Sequence, residues 1–388
     1  MAVKTSQNPK SVPVVCLYGN APEPLAVQVI CLAGRSNREL SGLVYWDRGD
    51  SVVAMPLSNE LSDRPMTVVR MPVGSTVWGK CWYRILVMIK LTHAVLKMKP
   101  EVVHAWNFDM MVCACVLKLL SVGKIRYIAV LQDTSQWMRR WWSRPFQRWV
   151  YGMAEAVWAM SNSFIEEFLH KDKLVSVDKP CLFLPNVPPR SRFADVRRRN
   201  ERGSLVVGCI GLLRGEQGLA TLVDAVARAR LQGCDIQIQF SGKGQLVDRI
   251  RALAEDHAFI RYSGPYGHED LPELYNKVDL LYAVYDNTED KKIHLAYRFC
   301  EAVNCGIPII CSRGSHMGTL AEHKGVGFAT GLGSTDELCE LLVRLFHCRE
   351  LIEDAGGRSR LFKEQFCFEN YESSILRSIA NAIPPVSG

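Results

Sequence analysis

The sequence predicts an α/β fold made of two successive doubly wound parallel-sheet domains. Three observations carry that prediction. The chain has 388 residues, enough for two cores of ordinary domain size. Short apolar runs alternate with stretches of helical period through most of its length. One proline-bearing, basic stretch, VPPRSRFADVRRRNERG at 187–203, interrupts the alternation, which then restarts. Strands that alternate with helices pair in parallel and are covered on both faces. The expected division is a first domain at 1–186, a linker at 187–203, a second domain at 204–368 and a closing segment at 369–388.

The elements follow in order. Residues 1–12 are polar and expected to be disordered. VPVVCLYG and VQVICLAG both read as strands ending in glycine, and the sequence does not say which comes first in the sheet. SNRELSGLVYWDRG reads as a short helix, with Ser36 or Asn37 as its cap, and DSVVAMPL as the next strand. YRILVMIKLTHAVLKMK has helical spacing and ends at Pro100. EVVHAW is then a strand, MMVCACVLKLL a buried helix, IRYIAVLQD a strand and FQRWVYGMAEA a helix; AVWAMS and CLFLPN are strands.

After the break, SLVVGCIG is a strand and LATLVDAVARARLQG an amphipathic helix stopped by Gly233. DIQIQFSG alternates with period two, as a strand does. QLVDRIRALAEDH, FIRYSG, EDLPELYNKV and DLLYAVY continue as helix, strand, helix and strand. RFCEAVNCG is a helix ended by Gly306, and Pro308 keeps it from running into the strand IPIICS. TDELCELLVRLFHC and FENYESSILRSIANAI close the chain as helices.

Apolar residues make up 48% and charged residues 22%, the balance of a soluble globular protein. A net charge of +7 suits anionic ligands or a membrane surface and falls well short of a histone-like balance. Among the 14 cysteines no pair has C-x-x-C spacing, and Cys16, Cys31, Cys209 and Cys311 sit in apolar runs. Buried, reduced thiols in a cytosolic protein are expected, with no metal site. No uncharged run reaches the length of a membrane span, Lys90 breaking the longest, and no secretory leader is expected. The expected location is cytoplasmic.

Ligands of open α/β sheets bind beyond the carboxyl ends of the strands, so the residues there are candidates. GLLRGEQG places Gly211, Arg214 and Gly215 before a helix whose N-terminal N–H groups favour phosphate. SGKGQ does the same with Gly242, Lys243 and Gly244. Neither is a dinucleotide or Walker fingerprint, and each also fits a plain glycine-rich turn. VVHAWNFD puts His104 and Asn107 at a strand end, and VLQDTSQ does so with Gln132 and Asp133. Read alone, these favour satisfied structural polar groups.

SQWMRRWWSRPFQRWVYG at 135–152 interleaves Trp137, Trp141, Trp142 and Trp149 with Arg139, Arg140, Arg144 and Arg148. That mixture suits an anionic lipid headgroup surface, or stacked single-stranded nucleic acid. The structural alternative, slightly favoured, packs the tryptophans on the sheet with arginines outside. Arg197, Arg198 and Arg199 read as a solvated linker face, and no nucleic-acid partner is expected.

Taken as a series, KPEVVHAWNFD, AEAVWAMSNSFIEEFL, FLPNVPP, VVGCIGLLRGEQGLATLVDAV, FSGKGQ, IRYSGPYGHEDLPELYNKVDLLYAVY and RFCEAVNCGIPIICS resemble the GT-B nucleotide-sugar glycosyltransferases, in particular the retaining family 4, from about Pro100 to Ala382. The resemblance implies two Rossmann-like domains facing a central cleft, an acceptor side in the first and a donor site in the second. It also implies a closing helix that returns to the first domain. It makes Glu301 the acceptor of the ribose hydroxyls and places Tyr297 and Arg298 beside the nucleotide. Departures from the family pattern are Ile293, Leu212, Gln217 and Gln132, where the family often has Glu, Arg, Lys and His. Arg298 and Arg214 are expected to carry the diphosphate charge instead. Catalysis would then rest on Gln132, Arg298 and Glu301.

The implied reaction is retaining and metal-independent, with no cofactor beyond the nucleotide-sugar substrate. It transfers a sugar to a glycan or lipid-linked acceptor, with the protein cytoplasmic or peripheral on the membrane. The alternatives are a non-catalytic relative that binds a nucleotide sugar or a partner protein, and a nucleotide-sugar epimerase.

Overall fold

A computed structural model describes residues 14–18, 28, 29, 32, 40–47, 66–70, 77–132, 138, 140–194, 196, 203–267, 269–285 and 292–382. The chain divides into two compact units. One comprises Met1–Ala159, Leu169–Leu182 and Glu372–Gly388; the other comprises Met160–Phe168 and Phe183–Tyr371. The division thus falls at Leu182/Phe183, ahead of the stretch read as a linker. Residues 187–194 of that stretch are part of the second unit, because Phe193 is buried there with its ring edge-on to Tyr275 at 5.5 Å.

The first unit holds a seven-stranded sheet of order β3-β2-β1-β4-β5-β6-β7. Its strands are β1 (Val14–Tyr18), β2 (Leu40–Asp47), β3 (Met66–Arg70), β4 (Val102–Trp106), β5 (Arg126–Leu131), β6 (Ala156–Ala159) and β7 (Cys181–Phe183). Pairings from β3 across to β6 are parallel. Every residue of β1 and β4 is buried, as strands covered on both faces must be.

Two expectations fail here. In VQVICLAG the described residues 28, 29 and 32 are helical, so VPVVCLYG alone supplies the first strand. The run expected as a helix at 36–49 instead contains β2. Leu43 and Val44 are neighbours in sequence and both buried, as a strand with two covered faces allows, and β2 pairs in parallel with β1 and β3. The expected caps Ser36 and Asn37, and DSVVAMPL, lie outside the described residues; β3 was not anticipated.

Helices Val77–Met98, Phe108–Leu120 and Arg144–Met153 belong to this unit. So does the closing helix Glu372–Ala382, which buries Ile375, Ile379 and Ala382. Ser378 Oγ of that helix accepts a hydrogen bond from Trp158 Nε1 at 2.7 Å.

The second unit is a six-stranded parallel sheet of order β10-β9-β8-β11-β12-β13. Its strands are β8 (Leu205–Leu212), β9 (Ile236–Lys243), β10 (Ile260–Tyr262), β11 (Leu280–Ala283), β12 (Ile309–Ser312) and β13 (Gly327–Thr330). The order reverses between β8 and β11, the kind of switch point at which such sheets bind ligands. Helices Glu216–Leu231 and Thr335–His347 pack Leu222, Val226, Leu338 and Leu342 onto Val207, Ile238 and Leu280 of the sheet.

The cysteines whose side chains are described are all free, and all of these but Cys181 and Cys348 are buried. Among the described residues no helix is long and apolar enough to cross a membrane.

Candidate functional site

At the carboxyl end of the second sheet, β8 and β9 finish on paired glycines. Gly211 stands opposite Gly242, and Leu212 opposite Lys243. The glycines lie inside the last strand pairs rather than in the following loops as expected, because Leu213 N–H still bonds to the Lys243 carbonyl at 2.7 Å. Gly211, Gly242 and Gly244 have φ of 123°, 136° and 150°, which side chains rarely adopt. A Cβ on Gly242 would strike the Gly211 carbonyl, and one on Gly244 the Leu213 carbonyl. A Cβ on Gly211 would run into the guanidinium of Arg298. The glycine at 211 therefore lets Arg298 lie flat on the backbone at the strand end.

Arg298 comes from the helix Tyr297–Cys305. That helix starts after an extended Ala296 and stops at Gly306 in the left-handed conformation, with Ile307 N–H closing onto the Ala302 carbonyl at 2.9 Å. One turn along from Arg298, Glu301 is buried, and its Oε2 accepts from Tyr275 Oη at 3.0 Å. Burial pushes the Glu301 carboxyl up to about 7, against the Tyr275 hydrogen bond and the charges of Arg298 and Arg192. Burial also opposes the Arg298 charge, but Tyr285, Tyr266, Tyr275 and Glu301 outweigh it and hold the guanidinium above its ordinary value. Tyr297 accepts from Arg192 Nη1 at 2.6 Å, and burial followed by Glu301 raises its phenol. The Ser241 hydroxyl, one residue before Gly242, is buried with no hydrogen-bond partner among the described residues. The helix Glu216–Leu231 starts at Gly215 without a side-chain cap.

This arrangement can bind an anion and a diol together. A fixed guanidinium and first-turn N–H groups suit phosphate, and a carboxylate suits paired hydroxyls. Arg214 and Lys243 stay exposed, and Arg214 makes no hydrogen bond or ion pair among the described residues. Leu212 and Gln217 are likewise exposed. Ile293 is buried, and its carbonyl accepts from Ser161 Oγ at 2.6 Å. No three His, Cys, Asp or Glu among the described residues are grouped to hold a metal ion.

In the first unit, Gln132 follows β5 directly and is buried, its Oε1 accepting from Tyr18 Oη at 2.8 Å. Tyr18 rests on Trp106 at 5.6 Å between ring centroids. His104 is not at a strand end as expected. It is the middle residue of β4, fully buried, edge-on to Trp158 at 5.0 Å, with no hydrogen-bond partner for either ring nitrogen among the described residues. Burial lowers its pKa to about 3, so the ring is neutral. The strand runs on because Ala105 and Trp106 pair with Leu17 and Tyr18. Asn107 follows it with φ 71° and ψ 154°, a conformation strained for any residue but glycine. Asp133 lies outside the described residues.

Tyr275, Arg192, Tyr266 and Ser241 were not picked out from the sequence. Ser241 is near the end of β9 and Tyr266 in the loop after β10, where the rule used for the other candidates could have found them. Tyr275 is inside a helix, and Arg192 is in the stretch read as linker; only tertiary packing brings them to Glu301.

Residues 204–348 match the family described as Glycosyl transferases group 1. That match lies within the second unit, and the fold of the chain is GT-B. The chain is similar to Anabaena HepE, solved in complex with UDP and glucose, at a TM-score of 0.70 and 15% identity, over 95% of this chain and 99% of that one. It is similar to sucrose-phosphate synthase from Thermosynechococcus elongatus at a TM-score of 0.66 and 14% identity, over 96% and 100%. It is also similar to the lipopolysaccharide outer core galactosyltransferase WaaB at 0.65 and 14%, over 96% and 100%. No curated protein matches the chain.

Proposed function

We propose that the chain is a glycosyltransferase whose second unit binds a nucleotide-diphosphate sugar and whose first unit supplies the acceptor side. The observation that carries the reading is the Gly211–Arg298–Glu301–Tyr275 cluster at the switch point of the sheet. The family match over the same unit and the UDP bound by HepE support it.

In this reading Glu301 accepts from the two ribose hydroxyls. Arg298 and the N-terminus of the Glu216–Leu231 helix neutralise the leaving diphosphate, with Arg214 adding a mobile charge from the surface. Those cations do the work without a metal ion. The acceptor hydroxyl attacks from the face the nucleotide leaves, with retention, and its proton passes to the departing phosphate. Gln132 offers a neutral amide, which orients a hydroxyl but takes no proton. The acceptor is a glycan or a lipid-linked hydroxyl, met at the cytoplasmic face of a membrane.

A second reading, binding without turnover, is favoured by Leu212 and Gln217, since neither replaces the cation expected there. Calorimetric titration with UDP-, GDP-, ADP- and CMP-sugars in chelator, followed by product analysis with an acceptor panel, separates the two. Binding with transfer supports the first, and binding alone the second. Epimerised sugar without acceptor would replace both with an epimerase. No binding to any donor, with the protein folded, would overturn the site itself.

A further inference from the structure

The described tryptophans of the segment rich in arginine and tryptophan do not pack on the sheet. Trp141 is 78% exposed, Trp142 58%, Trp149 44% and Phe146 43%. They occupy a short 3-10 turn, Trp141–Ser143, and the helix Arg144–Met153 that follows it. The buried side of that helix is Gln147, Val150 and Tyr151, so the aromatic side is the outward one. Phe146 and Trp149 stack there, with centroids 6.0 Å apart and planes 24° apart. Trp137 and Arg139 lie outside the described residues.

Large aromatic side chains are seldom left in water this way unless something covers them. The surroundings say what kind of surface that is. From Arg140 to Met153 the chain has no acidic residue. The loop after His170 is tied to the same helix at two points: Arg144 Nη2 bonds to Asp172 Oδ1 at 2.6 Å, and Arg148 Nε bonds to the Lys173 carbonyl at 2.9 Å. That loop adds exposed Lys171 and Lys173 and the 84% exposed Val177. Asp172 is paired with Arg144, so Arg140, Arg148, Lys171 and Lys173 stand around the rings against one exposed acid of that loop, Asp178 beside Val177, and the balance is positive.

We infer that this face of the first unit docks on an anionic lipid bilayer, with Trp141, Trp142, Phe146 and Trp149 seated among the headgroups and the four basic side chains on lipid phosphates. Tryptophan is enriched at such interfaces because its ring has an apolar body and a polar N–H. Basic residues add attraction to a negative surface that fades with salt. A protein partner or a second copy of this chain would have to match uncompensated positive charge surrounding the aromatics, and no acidic patch on this helix offers that to a copy of itself.

The full chain should float with vesicles of phosphatidylcholine and phosphatidylglycerol and not with phosphatidylcholine alone. Its affinity should fall steeply with salt. Trp141→Ala with Trp142→Ala should weaken binding about tenfold or more. Each of Lys171→Ala and Lys173→Ala should weaken it about fivefold. None of the four changes should alter thermal stabilisation by a nucleotide, and Glu301→Ala should leave vesicle binding unchanged, so the two sites fail independently. Absence of vesicle binding by folded protein would overturn the inference. So would binding indifferent to these substitutions, or a dimer in solution that the same substitutions abolish.

Discussion

The carboxyl ends of the two sheets are built from opposite materials. In the second unit a guanidinium and a carboxyl group sit next to each other among tyrosines, one half-buried and the other buried. Among the side chains described in the first unit, the equivalent end holds an amide, a phenol and, deeper in β4, a histidine kept neutral by burial. Buried charge is expensive and is retained where a ligand repays it; neutral hydrogen-bonded groups need no such reason. Under the proposed function, the contrast gives charge recognition to the second unit and hydroxyl orientation to the first.

Removing the guanidinium breaks that contrast most strongly. Arg298→Ala should lower affinity for a nucleoside diphosphate by about 100-fold, the scale of a charge-assisted, partly desolvated contact. Affinity for the nucleoside alone should fall far less. Equal losses for the two ligands in calorimetry would remove Arg298 from the diphosphate.

Glu301 gives the next largest effect, seen in stability. Its folded pKa of about 7 lies above the ordinary 4.5, so between those values the folded protein holds a proton that the unfolded chain has released. Stability from this group is therefore full below pH 4.5 and declines as pH rises through 7, by roughly 3 kcal/mol in all. Glu301→Gln keeps an acceptor for Tyr275 without the titration. In urea titrations the variant should match the wild type near pH 4.5 and exceed it at pH 8. A difference that does not change with pH would mean the carboxyl titrates normally. Nucleotide-sugar affinity should rise with pH through 7 in the wild type and stay flat in the variant, because ribose hydroxyls stabilise the carboxylate.

These two residues also show how far the sequence could be read. Glu301 stands out as the lone acid of its segment, before a helix end marked by Gly306 and Pro308, and the ordered series of segments around it carries the resemblance that singles it out. In the second sheet β8 to β12 are legible because they alternate cleanly with amphipathic helices, whereas the short β13 and the helices His316–Lys324 and Glu350–Phe362 are not read from the sequence. The first sheet was harder. β2 was mistaken for a helix because a strand covered on both faces loses its period-two signature, and Leu43 beside Val44 fits either template. His104 looked like a strand-end group because Asn107 follows so soon. Tyr275 and Arg192 were invisible, since their proximity to Glu301 exists only after packing.

Gly211 sharpens the comparison by geometry alone. Gly211→Ala adds a methyl group at φ 123° and directs it into the Arg298 guanidinium. Strain should cost about 1–2 kcal/mol of stability, and displacement of Arg298 should weaken diphosphate binding about tenfold. Gly233, at φ 85° with open space around its Cβ position, is the control: Gly233→Ala should show the backbone strain without the binding loss.

The smallest effect belongs to the neutral end. Tyr18→Phe removes the phenol that holds Gln132 and should cost about 1 kcal/mol, the net worth of one neutral hydrogen bond. Its consequence for function should be out of proportion to that figure. With Tyr18 in place, Gln132 Oε1 is held as an acceptor for the phenol, so the orientation of the whole amide is fixed. Without it, the amide loses that orienting contact and presents its polar groups to the acceptor less uniformly. Nucleotide binding should be untouched, while the acceptor KM rises and donor KM does not. A change in donor affinity instead would mean that the first unit shares in charge recognition, and the division drawn between the two sheet ends would have to be abandoned.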